Sequence, residues 1–321
     1  MGMARNTAAL RNRRIVIPGA ALLFFGLGLR AGNPEESNAG FTIRSDVRLV
    51  LLDVSVKDRS GGLVSGLSKQ DFTVVENGHP QPISVFANDD LPVTVGIVVD
   101  ESASMRPKRV DVLTAALTFI QESNAHDEIF VLNFNDTVKR GLPDGMLFSD
   151  DVAQLKAALY RGVPQGRTAL NDAVIAGLNQ LERGRRDKKT LVVISDGGDN
   201  ISEHTRKQML ATVEGSIATV YTIGIYDADD PDRNPGVLRE LAKISGGEAY
   251  FPESLANLAP VCRRIAKDIR ARYTIGYIPP SDNGGTLRHI SVKVSAPGHE
   301  KLSAHTRTSY RYDEITNQKK K

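Results

Sequence analysis

Short apolar runs alternate with helical periodicity along the middle of the chain, from residue 92 to about residue 272. Near-continuous apolar runs are typical of strands that are covered on both faces of a sheet. Four such runs lie at residues 93–99, 129–134, 191–194 and 219–225. Apolar residues at helical spacing lie between and after them, and the first helical stripe consists of Val110, Leu113, Leu117 and Ile120. The alternation predicts an α/β domain over residues 92–272, with a doubly wound, mostly parallel sheet.

The residues on either side of this domain show the two-residue period of β-strands instead. Residues 41–90 form an amino-terminal β segment that contains the turn pair Asn77-Gly78, and residues 273–312 form a carboxyl-terminal one. Their apolar runs lie at residues 47–56, 72–76, 83–86, 273–277 and 290–294. Each flank is too small to bury a core by itself. We therefore expect the two flanks to pack together as a small second unit, or to pack onto the α/β domain.

The two ends of the chain have a different character. Arg11, Arg13 and Arg14 lie directly before the apolar run at residues 15–29, which is short and glycine-rich for a membrane span. Leu29-Arg30-Ala31 then precedes a candidate cleavage site. This pattern predicts a signal peptide over residues 1–31 and export to the periplasm, the cell envelope or the medium. An uncleaved anchor, which would be the chain's link to a membrane, and a buried helix are the alternatives. The lysine-rich residues 313–321 are predicted to form a disordered tail.

Composition and charge narrow the class of partner. The chain has 321 residues, of which 40% are hydrophobic and 25% charged, and this is typical of a globular protein. Residues 1–30 hold five of the 41 basic residues and no acid, so 36 basic residues face all 38 acidic ones elsewhere, a net charge of −2. With no tryptophan and 6% aromatic residues, the sequence favours no nucleic-acid partner. The single cysteine, Cys262, lies at helical spacing among apolar residues, which predicts burial.

Oxygen-bearing side chains follow two of the predicted strands. The run at 93–99 leads into Asp100, Ser102 and Ser104, whose spacing places them on one side of an extended loop, and the run at 191–194 leads to Asp196. Thr168 ends a glycine-flanked loop before a helix. Ligands of open α/β sheets bind at the carboxyl ends of the strands, so we expect these residues at a solvent-reachable rim. Carboxylates and hydroxyls are hard donors, which favour Mg²⁺, Mn²⁺ or Ca²⁺ over zinc or copper.

This set of residues resembles the metal-ion-dependent adhesion site of von Willebrand factor type A domains, which have a Rossmann-like fold. The segments at 71–78 and 273–277 resemble those of a bacterial, acidobacterial-type family of exported von Willebrand A-related proteins. The resemblance covers about residues 45–312. It implies that a divalent cation is surrounded by Asp100, Ser102, Ser104, Thr168 and Asp196. It also implies a protein partner whose exposed acidic residue completes the cation's shell. The sequence departs from the family at Ala103, where glycine is common.

Other interpretations compete with this one. Asp, Ser and Thr are also favoured in turns and helix caps, so the five residues could be structural. The aspartates at 227–232 could bind a second cation, although the glycine and glutamate of a calcium-binding loop are missing. No phosphate-binding loop, dinucleotide fingerprint or nucleophile elbow is found, and no small-molecule substrate is evident, so we expect no enzyme. The sequence thus predicts an exported, cation-dependent adhesion module. The alternatives are an assembly subunit of an envelope complex, whose cation stiffens loops, and a metal-assisted hydrolase.

Overall fold

The computed structural model of the chain describes residues 49–226, 233–280 and 287–312. The predicted signal peptide, the aspartate-rich loop at 227–232 and the predicted tail lie outside these residues. The described strands are β1 (Val50–Lys57), β2 (Phe72–Glu76), β3 (His79–Gln81), β4 (Ile83–Ala87), β5 (Val93–Asp100), β6 (Glu128–Phe134), β7 (Val138–Arg140), β8 (Lys188–Ser195), β9 (Thr219–Gly224), β10 (Ala249–Tyr250), β11 (Tyr273–Tyr277), β12 (Leu287–Val294), β13 (Ser303–His305) and β14 (Ser309–Arg311). The described α-helices are α1 (Arg109–Gln121), α2 (Val152–Tyr160), α3 (Leu170–Leu181), α4 (Arg206–Gly215), α5 (Pro235–Ser245) and α6 (Leu258–Arg270).

The central sheet has six strands in the order β10, β9, β8, β5, β6, β7. All neighbours in it are parallel except β7, which pairs antiparallel with β6. Strand β5 lies in the middle, and every one of its residues is buried, as its apolar run predicts. Helices pack against this sheet and share its core, in which Cys262 of α6 is buried. The predicted fold class, α/β with a mostly parallel sheet, is confirmed.

Helix α1 buries most of the predicted stripe, but its buried face is shifted away from the first member of that stripe. The sequence pattern placed Val110 on the apolar stripe, but its side chain is 76% exposed, whereas Val112 is 2% exposed. The buried face also includes Ala115, Ala116 and Phe119. Alanine carries little hydrophobic signal, so the true stripe was weak in the sequence. Helix α4 was not predicted at all, because most of its residues are polar or only partly buried.

The two valines of α1 provide a matched test of this face. Val112→Ala removes buried methyl groups and is expected to lower the free energy of unfolding by about 2 kcal/mol. Val110→Ala, on the same helix, is expected to change it by about 0.5 kcal/mol or less, because its side chain is already in water. Urea denaturation of both variants measures the difference. Equal losses would mean that the helix packs with another face.

The flanking segments form two antiparallel four-stranded sheets, in the orders β13, β1, β11, β4 and β14, β12, β2, β3. Both flanks supply strands to each sheet, and their apolar side chains form one cluster that is separate from the core of the α/β domain. Phe72 from one flank and Tyr273 from the other have ring centroids 5.0 Å apart. The two segments therefore share one core.

Strands in this unit do not simply pair with the strands that follow them in the sequence. The turn at Asn77-Gly78, where both residues have positive φ, joins β2 to the short strand β3 rather than to β4. Strand β4 pairs with β11 in the other sheet. Strands β11 and β12, which follow one another in the chain, also belong to different sheets. Local periodicity shows which residues form strands, but it does not specify their partners.

A buried polar network connects α6 to the first flanking sheet and to β9. Asp268 accepts hydrogen bonds from Ser55 on β1 and, at 2.6 Å, from the hydroxyl of Tyr221 on β9. Arg272 donates to the Tyr221 hydroxyl at 3.0 Å and to the carbonyl of Asp53 at 3.1 Å. Burial alone would raise the pKa of Asp268, but Arg272 and the two hydroxyls outweigh it and lower that pKa. The network therefore holds the charged pair Asp268–Arg272 between the first flanking sheet and the central sheet.

Candidate metal centre

Asp100 is the last residue of β5 and is fixed from two sides. One carboxylate oxygen accepts a hydrogen bond from the Ser102 amide at 2.9 Å, and the other accepts from the Ser195 hydroxyl at 2.6 Å. Ser195 is the last residue of β8, the parallel neighbour of β5. Because parallel strands end at the same edge of the sheet, the Asp100 and Asp196 loops lie side by side.

The other predicted residues of these two loops are in direct contact. The Ser104 hydroxyl donates to Asp196 Oδ2 at 2.6 Å, and the hydroxyl oxygens of Ser102 and Ser104 are 3.1 Å apart. Asp196 Oδ1 accepts from the Gly198 amide at 3.0 Å. Between them, Gly197 has φ +83°, and a Cβ there would lie 2.5 Å from the Asn234 carbonyl oxygen. Only glycine fits this tight turn, which directs Asp196 toward the serine loop.

Thr168 is brought to the same edge through its main chain. Its amide donates to Asn200 Oδ1 at 2.9 Å, and the Asn200 amide donates back to the Thr168 carbonyl at 3.0 Å. Two residues earlier, the Gly166 carbonyl accepts from the Ala103 amide at 3.2 Å. The Thr168 loop is thus hydrogen-bonded to both of the other loops, and three loops meet at one place on the sheet edge.

The burial of the two carboxylates differs from the sequence expectation. Asp100 and Asp196 are each 2% exposed, so they are buried rather than at a solvent-reachable rim, whereas Ser104, which contacts Asp196, is exposed. Burial, together with the nearby charge of Asp196, raises the pKa of Asp100 to about 7, although hydrogen bonds from Ser102 and Ser195 act in the opposite direction. Within the described ranges, neither carboxylate forms an ion pair. A cation among these oxygens would offset the cost of burying two carboxylates side by side without a positive charge.

The two carboxylates and the hydroxyls around them fit a hard divalent cation. Carboxylate and hydroxyl oxygens are ligands that Mg²⁺, Mn²⁺ and Ca²⁺ accept. Among the described residues, no group of three or more His, Cys, Asp or Glu side chains is placed to hold a metal. The predicted set has only two carboxylates, and its other three members are hydroxyls. The scattered histidines offer no alternative centre in the part of the chain that the structure describes.

Supporting residues around the centre were not predicted. Ser195 and Asn200 hold Asp100 and the Thr168 loop, and the only sequence signal for them was proximity to Asp196. Asp199, which is not among the five predicted ligands, accepts hydrogen bonds from the Asn171 amide at 2.8 Å and from the Ser202 hydroxyl at 2.6 Å. It therefore ties the loop to the first turn of α3.

The comparisons with known proteins agree with this architecture. Residues 95–198 match the family model of the von Willebrand factor type A domain. The chain therefore contains a von Willebrand factor type A domain. The chain is similar in fold to a solved von Willebrand factor type A protein from Catenulispora acidiphila, with a TM-score of 0.51 and 16% identity over 86% of this chain and 76% of that one. At this identity the likeness concerns the fold alone.

Two further similarities have narrower coverage. The von Willebrand domain of the type V pili tip protein Mfa5 from Porphyromonas gingivalis has a TM-score of 0.48 and 15% identity, over 56% of this chain and 95% of that one. An uncharacterized protein of Synechocystis, sll0103, is 25% identical over 212 residues. That match covers 65% of this chain and 46% of the relative, so the chain spans less than half the length of that relative. The acidobacterial-type subfamily stays a prediction.

Proposed function

We propose that this protein is an exported binding module that captures a protein partner through a divalent cation. The observation that carries the proposal is the pair of buried carboxylates, Asp100 and Asp196, which lack ionic partners in the described residues and are bordered by hydroxyls. Asp100, Ser102, Ser104, Thr168 and Asp196 would hold the cation, with Mg²⁺ as the first candidate and Mn²⁺ or Ca²⁺ as others. The bound cation supplies a positive charge to which an acidic side chain of the partner binds.

The location of the protein is part of the same proposal. The basic and apolar start of the sequence is the basis for export. The helices in the described ranges are too short to span a bilayer, since none exceeds 13 residues. We propose the periplasm, the cell envelope or the medium as its place of action.

Cation binding is tested by titrating the metal-free protein with Mg²⁺ in a calorimeter. We expect one site in the wild type and at least about tenfold weaker binding in Asp196→Asn, because a charged ligand is replaced by a neutral one of the same shape. Asp187→Asn is the matched control, since it removes the same charge from an exposed position just before β8, at the opposite end of that strand from the centre, and should keep the affinity. Melting curves of both variants check that they fold.

Two outcomes would contradict the proposal. Equal Mg²⁺ affinity in the wild type and Asp196→Asn would refute the cation site. If Mg²⁺ binds but no partner binding depends on it, the cation would have a structural role instead, as expected for an assembly subunit.

A further inference from the structure

A pocket of about 350 Å³ lies beside the candidate metal centre, at the carboxyl ends of β5 and β6. Its lining residues include Glu101, Asn133, Lys139, Arg140, Arg161 and Gln165. Glu101 directly follows Asp100, and its carbonyl accepts a hydrogen bond from the Gln165 amide at 2.9 Å. The wall of this pocket is therefore continuous with the loop that carries Asp100, Ser102 and Ser104.

The rim of the pocket is positively charged. Lys139, Arg140 and Arg161 are exposed, and within the described residues none of their side chains forms an ion pair or a hydrogen bond. Two acidic side chains lie on the other side of the centre, in the loop after β8 and the first turn of α3, where Asp199 and Asp172 are hydrogen-bonded. On the β6 side, the acidic side chains Glu101 and Asp136 are each paired with an arginine. The field around the centre is thus asymmetric. An acidic chain would be attracted toward the β6 side.

The floor of the pocket requires hydrogen-bond donors. Glu101 Oε1 and Asn133 Oδ1 are buried and have no hydrogen-bond partner among the described residues. The other carboxylate oxygen of Glu101 is paired with Arg109 at 3.1 Å, so the charge of this side chain is already compensated. A simple anion such as a halide offers no donor to these two oxygens. A peptide offers both backbone N–H groups for the floor and acidic side chains for the rim.

We propose that this pocket binds a second acidic residue of the partner, close in sequence to the one that binds the cation. The partner segment is then an acidic peptide that runs from the metal centre across Glu101 to the rim formed by Lys139, Arg140 and Arg161. This inference rests on the proposed function, because the first acidic residue is held by the cation. It goes beyond that function by specifying that the partner segment is acidic and that it runs from the metal centre toward the β6 side.

The test is a selection from a display library of short random peptides on the wild-type protein in Mg²⁺, with elution by EDTA. We expect the eluted peptides to contain one acidic residue together with a second one a few residues away. The same selection is made on the triple variant Lys139→Gln, Arg140→Gln, Arg161→Gln. Its control is Lys69→Gln, Lys243→Gln, Lys293→Gln, which removes the same charge from exposed positions that do not line the pocket.

The outcomes separate the inference from the proposed function. If the inference is right, peptides eluted by EDTA from the pocket variant still contain one acidic residue but no longer a second one nearby. At low salt, a peptide selected on the wild type should bind the pocket variant about tenfold more weakly than it binds the wild type or the control variant. EDTA-eluted peptides with a single acid, equally from all three proteins, would overturn the inference and leave the proposed function intact. If EDTA elutes no peptide from any of the proteins, the proposed function fails, and the inference fails with it.

Discussion

Asp268→Ala is expected to lower the free energy of unfolding by about 3–5 kcal/mol, which is typical when one member of a buried ion pair is removed. The substitution leaves Arg272 buried without its carboxylate, and it removes the acceptor for the Ser55 and Tyr221 hydroxyls. Because these residues lie on α6, β1 and β9, the loss affects the contact between the flanking sheet and the α/β domain. Thermal and urea denaturation of the purified variant measure it.

Asp90→Ala is the control for this prediction. Asp90 forms an ion pair with Arg270 at 3.1 Å, but its side chain is half exposed, and such surface pairs contribute about 0–1 kcal/mol. The pKa of Asp268 is lowered on folding, so its contribution is present at neutral pH and is lost as the pH falls below about 4, the ordinary value. If Asp268→Ala costs no more than Asp90→Ala, the network does not stabilise the contact.

The α/β domain was predictable because its strands are buried on both faces. A strand such as β5 has no solvent-facing side, so its apolar run is continuous and its position in the sequence is clear. The same property places Asp100 at a strand end, and a second such strand places Asp196 beside it. The chemistry at the edge of a parallel sheet can therefore be inferred from two runs of apolar residues and the polar residues that follow them.

The strand pairing in the flanking sheets and the burial of the two carboxylates were less predictable. Alternation identifies a half-buried strand but not its partner, and β4 and β11, far apart in the sequence, pair through contacts that no local pattern encodes. The Thr168 loop is joined to the residues that follow Asp100 by main-chain hydrogen bonds such as that of the Ala103 amide to the Gly166 carbonyl. Main-chain contacts between loops depend little on side-chain identity, so the sequence gives little sign of them.

Asp100→Asn is expected to remove most of the stabilisation by Mg²⁺. It should also remove most of the fall in the free energy of unfolding that Asp100 causes as the pH rises. The pKa of Asp100 is about 7 in the folded chain, against 3.8 ordinarily. Between about pH 4 and pH 7, the folded chain keeps a proton that the unfolded chain has released, so the free energy of unfolding falls as the pH rises through this window. At about 1.4 kcal/mol per pKa unit, the upper limit of this loss is on the order of 4 kcal/mol for the metal-free protein. Asparagine does not titrate, so the variant should lack this decline.

The same titration governs the cation, because Mg²⁺ binds the carboxylate and not the acid. With a pKa of about 7, Asp100 is ionised in roughly 3% of molecules at pH 5.5 and in roughly 90% at pH 8, so Mg²⁺ should bind about 30-fold more weakly at the lower pH. Calorimetric melting of the wild type with and without Mg²⁺ at both pH values should therefore show a large increase in Tm at pH 8 and a small one at pH 5.5. Asp100→Asn should show little increase at either pH, whereas Asp187→Asn, at an exposed position, should behave as the wild type. An Mg²⁺ effect on Tm that is equal at the two pH values in the wild type would show that Asp100 is not a ligand whose proton the cation displaces.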